Sequence, residues 1–204
     1  MRFFYRGLER SVDEMKMLHQ ISGNGVPLKF DELANLDISY KGSPIESHCL
    51  EIRPDGLVVQ LMLEETVAFD KMSNCYQTSE IRRHLSSLKF LDSFNREFIS
   101  HVKESEVHTE DYITRDRFYL LSHEEVGVID GIYRFKPNRE IKRLDMFSDC
   151  VSRQRVVGDK YVYWWLRSAS AGTDIGVGCV CDNGRVSNYH ITSDIKCLPA
   201  CLIA

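Results

Sequence analysis

The sequence has no apolar run of the length that a transmembrane helix needs, and it has no block of basic residues. A membrane span takes about 20 consecutive apolar residues, and no segment approaches that length. Lys and Arg number 26 against 30 Asp and Glu, which gives a formal net charge of −4. Because a nucleic-acid surface needs clustered positive charge, the chain is predicted to bind neither nucleic acid nor a membrane.

Signature motifs of the common enzyme classes are also missing. The sequence contains no G-x-S-x-G, no phosphate-binding P-loop, no dinucleotide fingerprint and no H-E-x-x-H. The N-terminal stretch MRFFYRGLERSVDEMKM carries acidic residues early and has no apolar segment of signal-peptide length. We therefore expect a non-enzymatic cytoplasmic protein, or one that reaches a phage particle or the cell surface by a route that the sequence does not show.

Cysteine is frequent, but its spacing fits neither a disulfide framework nor a zinc knuckle. The total is seven, an odd number, and Cys49, Cys75 and Cys150 lie far apart. The other four form CVC at Cys179–Cys181 and CLPAC at Cys197–Cys201, neither of which has the C-x-x-C spacing of zinc sites. Because cysteine is among the residue types most often buried, we predict buried thiols, with no metal and no cofactor.

The N-terminal part of the chain has helical periodicity. Leu8, Val12 and Met15 fall on one helical stripe, and the Gly- and Pro-containing segment SGNGVP that follows ends the helix. The 43% hydrophobic content of the 204 residues suffices for the core of one further domain. We predict a helical arm over residues 1–26 and a main domain over residues 27–204. Whether the arm joins subunits or caps the core stays open, as does the oligomeric state.

Turn and capping residues divide the central part of the chain. Pro54–Gly56 predicts a turn, after which Leu57–Leu63 forms a buried strand. Thr78 or Ser79 is expected to cap the helix TSEIRRHL, and Asn95 the helix NREFISHVKE. This region is therefore predicted to change from strands to helices.

The C-terminal half returns to strands. Phe118–Leu121 predicts a short apolar strand, and Ser122 with Glu125 forms a capping box that predicts a helix after it. KYVYWWLRS is aromatic and branched, Asp182–Gly184 predicts a hairpin turn, and DIKCLPACLIA predicts a closing strand. Because strands and helices are segregated along the chain, the pattern predicts the α+β class.

Four short motifs, in order, resemble one bacterial and phage domain family of unknown function. They lie at Ser79–Arg82, Phe118–Ser122 and Trp165–Ser168, and in the terminal LPACLI, where Pro199 and Ala200 remain of the family's arginine–proline–alanine–leucine. The resemblance runs from about Leu28 to the C-terminus. It implies a C-type-lectin-like fold with helices packed on a small antiparallel sheet, similar to formylglycine-generating enzymes and to the variable proteins of diversity-generating retroelements. In such variable proteins, changeable residues near the C-terminus bind a partner.

The segment YVYWWLRSASAGTDIGVGCVCDNGRVSNYH is the candidate site. Trp164 and Trp165 are expected to anchor the core, and Arg167 to pair with a carboxylate for structural reasons. Tyr, Ser, Asn and Arg suit a recognition surface, although an ordinary solvated hairpin has the same polar alternation. The predicted ligand is an unidentified protein or small molecule. The predicted ligand-binding residues are Asp174, Asn183, Arg185, Ser187, Asn188, Tyr189 and His190.

Two alternatives stay open. A thiol- or metal-dependent enzyme related to formylglycine-generating enzymes would use Cys179 and Cys181, with His190 as the base. A structural component of a phage particle or surface assembly would form a fixed oligomer. Calcium-dependent sugar binding lacks its typical residue triplets, since only Asp174, Asp182, Asn183 and Asp194 lie near the hairpin.

Overall fold

A computed structural model gives the structure of the chain, and it describes residues 2–5, 8–21, 30–53, 55–109, 112–128 and 141–204. The α+β class is confirmed. Within these residues the α-helices are α1 Val12–Ile21, α2 Phe30–Ala34, α3 Glu80–Leu85, α4 Leu88–Leu91, α5 Arg96–His101 and α6 Cys150–Arg153, with a 3₁₀ helix at Tyr76–Thr78. No helix among them is long and apolar enough to cross a membrane. The predicted helix stop at residues 22–27 and the predicted turn residue at position 54 lie outside the described residues.

Two larger sheets and three two-stranded pairs contain the strands. The strands are β1 Arg2–Tyr5, β2 Leu8–Arg10, β3 Ser39–Tyr40, β4 Ser43–Pro44, β5 Ser47–Arg53, β6 Gly56–Leu61, β7 Thr66–Val67, β8 Val102–Lys103, β9 Ser105–His108, β10 Ile113–Asp116, β11 Val156–Val157, β12 Lys160–Tyr161, β13 Trp164–Ala169, β14 Gly176–Val180, β15 Val186–His190, β16 Ile195–Lys196 and β17 Ala200–Ile203. The larger sheets have the orders β2-β1-β5-β6-β17-β8 and β15-β14-β13-β16-β7. Each contains one parallel pair, β1 with β5 and β13 with β16, so the expectation of a single small antiparallel sheet is wrong.

The six-stranded sheet is built around the apolar run that the sequence predicts as a buried strand. Every residue of β6 is buried, and β6 pairs antiparallel with both β5 and β17. Gly56 has a φ of +152°, and a side chain there would collide with the carbonyl of Ile203. The sheet also contains β1 and β2, which lie in the predicted helical arm. Leu8 therefore belongs to β2 and not to the helix, which begins at Val12.

The five-stranded sheet contains the predicted C-terminal hairpin. β14 and β15 pair antiparallel from Val180 and Val186 to Gly176 and His190, which confirms the hairpin. Gly184 in the turn has a φ of +78° and lies against the backbone of Cys150, where no side chain fits. The single predicted closing strand is in fact two strands, because β16 joins this sheet and β17 joins the other.

Capping residues behave in two different ways. Ser79 caps α3 by accepting a hydrogen bond from the Arg82 backbone N–H at 3.2 Å, as predicted. Asn95 is at the N-cap of α5 but its side chain accepts from the Ser39 N–H at 2.9 Å, tying the helix to β3 instead. The side chain therefore fixes a neighbouring segment, and the last turn of the predicted helix becomes β8.

The capping box at the end of the second motif, Phe118–Ser122, forms without a helix. The Ser122 N–H donates to Glu125 at 2.8 Å, and the Glu125 N–H donates to Ser122 Oγ at 3.2 Å. Only a turn follows, which ends at Gly127 with a φ of +80°. The predicted strand Phe118–Leu121 is reduced to one bridge, between Tyr119 and Ala200, because carbonyls of this segment accept hydrogen bonds from Arg167.

Arg167 is the buried residue that connects the sequence motifs. Its side chain is only 2% exposed, and Nη1 donates to Glu125 at 2.5 Å and to the Leu120 carbonyl at 2.6 Å. Nε donates to the His108 carbonyl at 3.0 Å, and the Arg167 backbone N–H donates to the Leu121 carbonyl at 2.8 Å. The expected pairing of Arg167 with a carboxylate is confirmed. Charge-assisted bonds of this kind, out of water, hold loops that have no ladder of their own.

The two tryptophans before Arg167 are fully buried, as predicted. Trp165 Nε1 donates to the Val67 carbonyl at 2.8 Å, and Trp164 Nε1 donates to the Arg153 carbonyl at 3.2 Å. Each indole therefore fixes one segment outside its own strand while it fills the core. β13 is the middle strand of the five-stranded sheet. Its two tryptophans and Arg167 connect it by hydrogen bonds to segments outside the strand itself.

Replacing Arg167 with Met is expected to lower the free energy of unfolding by about 3–5 kcal/mol, because Glu125 and two carbonyls would stay buried without their donor. Urea denaturation followed by tryptophan fluorescence measures the change. The matched control is Arg185→Met in the exposed hairpin turn, for which a change within about 0.5 kcal/mol is expected. Equal losses in the two variants would contradict the central role of Arg167.

Candidate functional site

The predicted ligand-binding residues are spread along the hairpin and do not form one cluster. Asn183 and Arg185 lie at the turn, whereas His190 lies at the far end of β15, opposite Gly176. Five strand positions span roughly 17 Å at 3.4 Å per residue. Asp174 is in the loop before β14 and is therefore near the His190 end. All of these four side chains are exposed.

The two faces of β15 carry different side chains. Because successive strand residues point to opposite faces, Ser187 and Tyr189 share one face, and Asn188 and His190 share the other. Asn188 Nδ2 donates to Ser170 Oγ at 3.0 Å, while His190 Nδ1 lies 2.8 Å from Thr192 Oγ1. Asn188 and His190 therefore have local partners in loops at that end of the hairpin.

Tyr189 has a ring partner that the sequence analysis did not select. Its ring centre lies 5.6 Å from that of Tyr163, with the planes at 63°. A hydrogen bond with Tyr189 and the nearby charge of Asp182 raise the pKa of Tyr163 to about 12. We call the outward set Tyr163, Ser187 and Tyr189 the hairpin face. The sequence signal for Tyr163 is its period-2 spacing from Trp165, which predicts packing but not a ring contact with Tyr189.

The loop that carries Asp174 is held by a residue from a distant part of the chain. Asn74 Nδ2 donates to the Thr173 carbonyl at 2.7 Å and to the Gly176 carbonyl at 3.0 Å. The Ser170 N–H also donates to the Gly176 carbonyl, at 3.0 Å. The small residues before β14 therefore form a fixed loop. Asn74 carries no local sequence signal for this role, because its partners are about a hundred positions away.

The thiols of the hairpin do not form the cysteine–histidine pair of the enzyme hypothesis. Cys179 lies beside Ser187, and His190 is three residues further on, on the opposite face of β15. Burial raises the pKa of Cys179, and the neighbouring Cys181 raises it further. Burial also raises the pKa of Cys181. Both therefore stay protonated at neutral pH, whereas a cysteine nucleophile reacts as the thiolate.

The remaining cysteines and the acidic residues give no metal site within the described residues. Burial raises the pKa of Cys49 to about 12 and that of Cys197 and Cys201 as well. In the part of the chain that the structure describes, no three His, Cys, Asp or Glu side chains are grouped so that they could hold a metal ion.

Two cavities lie away from the hairpin, and neither is predicted from the sequence. One has a volume of about 580 Å³ and is lined by Tyr40, Glu65 and the β11–β12 turn among others. Tyr40 donates to Glu65 at 2.7 Å there. The other has a volume of about 370 Å³ and lies between the end of β5, strand β9 and Arg167. Both combine segments that are distant in sequence, so that no local pattern marks them.

Comparison with known protein families assigns the chain to a family. The model of the family described as "Domain of unknown function (DUF6273)" matches residues 57–204, and the chain therefore belongs to that family. The match begins at β6, so that strands β1–β5 and helices α1 and α2 lie outside it. Membership of a family of unknown function is as expected, but the match starts later than the expected position near Leu28. No curated protein and no solved structure matches the chain.

Thiol reactivity tests the protonation of the cysteines. In the native protein at pH 7.5, we expect Ellman's reagent to modify Cys150, which is exposed, well before Cys179, Cys197 or Cys201. The variant Cys150→Ser should lack the fast phase. Mass spectrometry of the labelled peptides identifies the sites, and metal analysis of the same sample should give less than one metal per chain. A thiol at position 179 or 181 that reacts faster than free cysteine would support the enzyme hypothesis instead.

Proposed function

We propose that this protein is a non-enzymatic ligand- or protein-binding module that presents its hairpin face on a C-type-lectin-like scaffold. The observation that carries the proposal is the partly exposed pair Tyr163 and Tyr189 on a sheet whose strand β14 is entirely buried. Tyr189 is 37% exposed, and Ile175, which directly precedes β14, is 48% exposed. Large apolar side chains next to hydrogen-bonding groups on a surface are typical of interaction sites.

The physical argument rests on rigidity. A tyrosine loses little conformational entropy on binding, and here its backbone belongs to a strand that is paired along its whole length. The ring contact with Tyr163 further restricts Tyr189 before a ligand arrives. Ser187 adds an adaptable hydrogen-bonding group on the same face. The hairpin is therefore already ordered before a ligand binds, and the binding free energy is not reduced by an entropy cost of ordering it.

The scaffold assignment is part of the same proposal. It is supported by the α+β architecture, by family membership and by the way the family-like motifs at Phe118–Ser122 and Trp165–Ser168 meet around Arg167. The motifs therefore stabilise the fold. The exposed residues of the hairpin are not needed for this and can be substituted without loss of the fold. The proposed partner is a protein or small ligand, neither nucleic acid nor membrane. The proposed location is the cytoplasm, or a phage particle or the cell surface.

The thiol- or metal-dependent enzyme remains the second candidate. It is supported by the adjacency of Cys179 and Cys181, but the raised pKa of both thiols opposes it. The third candidate is a structural phage or surface component. Size-exclusion chromatography with light scattering distinguishes it, because such a component gives one fixed oligomer over a wide concentration range.

Truncation of Tyr189 tests the proposed surface. We expect Tyr189→Ala to weaken binding by roughly 30-fold, the effect of a central interface tyrosine. The measurement screens a glycan array and a phage-displayed peptide library and then determines the affinity of each selected probe by calorimetry. The control is Tyr112→Ala directly before β10, where Tyr112 is 46% exposed and far from the hairpin in sequence. Probes that bind Tyr189→Ala and the wild type equally would contradict the proposal.

A further inference from the structure

The cavity of about 370 Å³ is lined by polar groups, some of which have no hydrogen-bond partner in the part of the chain that the structure describes. Tyr119 is only 4% exposed and lies in the cavity wall, and within the described residues its hydroxyl group makes no hydrogen bond, although this oxygen is not fully buried. Ser105 Oγ, also in the cavity wall, is buried and has no hydrogen-bond partner there either. A buried hydroxyl without a partner is costly, and native structures seldom keep one without a use.

Arg167 contributes a third unused donor to the same cavity. Its Nε and Nη1 bind Glu125 and the carbonyls of His108 and Leu120, but Nη2 has no partner among the described residues. The guanidinium carbon lies 6.0 Å from the centre of the Tyr119 ring. The structural contacts of Arg167 fix the guanidinium in place, and Arg167 is one of the residues that line the cavity. The donor is therefore held in position before any ligand binds.

The charges of the cavity wall limit which ligand it takes. Arg53, Lys142 and Arg167 are balanced by three carboxylates, those of Glu51, Glu106 and Glu125. Arg53 Nε already donates to Glu51, in the same way that Arg167 donates to Glu125. A multiply charged anion such as phosphate would be repelled by these carboxylates, whereas a single negative charge can share the free donors.

We propose that this cavity binds a small molecule through one carboxylate group, which accepts hydrogen bonds from Arg167 Nη2 and the Tyr119 hydroxyl. Burial raises the pKa of Tyr119, so that its hydroxyl remains a donor throughout the neutral range. Ser105 and the exposed nitrogens of Arg53 lie in the same wall and can bind the rest of the ligand. The site is separate from the hairpin face and does not depend on the function proposed for it.

NMR titration of the full chain with small probes tests this site. The probes are acetate, glycolate and benzoate, each of which has one carboxylate, together with acetamide and inorganic phosphate for comparison. We expect saturable chemical-shift changes with the carboxylates and none with acetamide. Tyr119→Phe, which keeps the ring, should weaken carboxylate binding by roughly tenfold, the effect of one hydrogen bond to a charged group. Its melting temperature should equal that of the wild type, because no described residue loses a partner.

Matched variants exclude an indirect effect. Tyr161→Phe, at a tyrosine 61% exposed in β12, should leave carboxylate binding unchanged. Arg53→Gln should weaken binding several-fold, while Arg83→Gln on the exposed side of α3 should not. The proposal is overturned if no carboxylate gives a saturable change, if phosphate binds more tightly, or if Tyr119→Phe binds as the wild type does.

Discussion

The guanidinium of Arg167 joins stretches of chain that are far apart in sequence, and the fold depends on this contact. It binds the carboxylate of Glu125 and the carbonyls of His108 and Leu120, so that the segment from Leu120 to Glu125, which belongs to no strand, still has its polar groups satisfied. The carboxylate of Glu125 also accepts from the Ser122 N–H, and the Arg167 backbone N–H donates to the Leu121 carbonyl. These hydrogen bonds hold the turn after Ser122 against β13. Because the pair is buried, each partner depends on the other to offset its loss of water.

The same sheet has a buried part, β13 and β14, which stabilises the fold, and an edge strand, β15, which is partly exposed. β13 and β14 are buried nearly throughout, and they carry the tryptophans, Arg167 and the neutral thiols. β15 lies at the edge of the sheet and exposes Tyr189 beside Tyr163. An edge strand supported on one side by a rigid core is a suitable base for recognition, because substitutions on its outer face do not disturb the packing below.

The parts that could be predicted from the sequence are those where one local signal decides the structure. The continuous apolar run fixes β6, the serine N-cap with Ile81 and Leu85 fixes α3, and Asp182–Gly184 fixes the hairpin. Local signals failed where a distant contact outweighs them. The capping box at Ser122 forms only a turn because Arg167 takes the carbonyls before it, and β1 pairs with β5 although it lies in the predicted arm.

The candidate sites, too, are predicted only where a local sequence signal marks them. The composition of the hairpin marks Tyr189 and its polar neighbours, but which of them share a face follows from strand register. The cavity beside Arg167 has no sequence signal at all, because its donors come from β9, β13 and the loop at Tyr119. Sequence shows that these residues are polar. Only their common position shows that three of their donor atoms lie together without a partner among the residues that the structure describes.

Native-state hydrogen exchange of the β14 amides tests most directly whether the hairpin stands on a rigid base. These amides lie between β13 and β15, and our account predicts that they exchange only through global unfolding, with the same free energy and denaturant dependence as the amides of β6. Exchange of β14 through a local opening, with a much lower free energy and little dependence on denaturant, would contradict it.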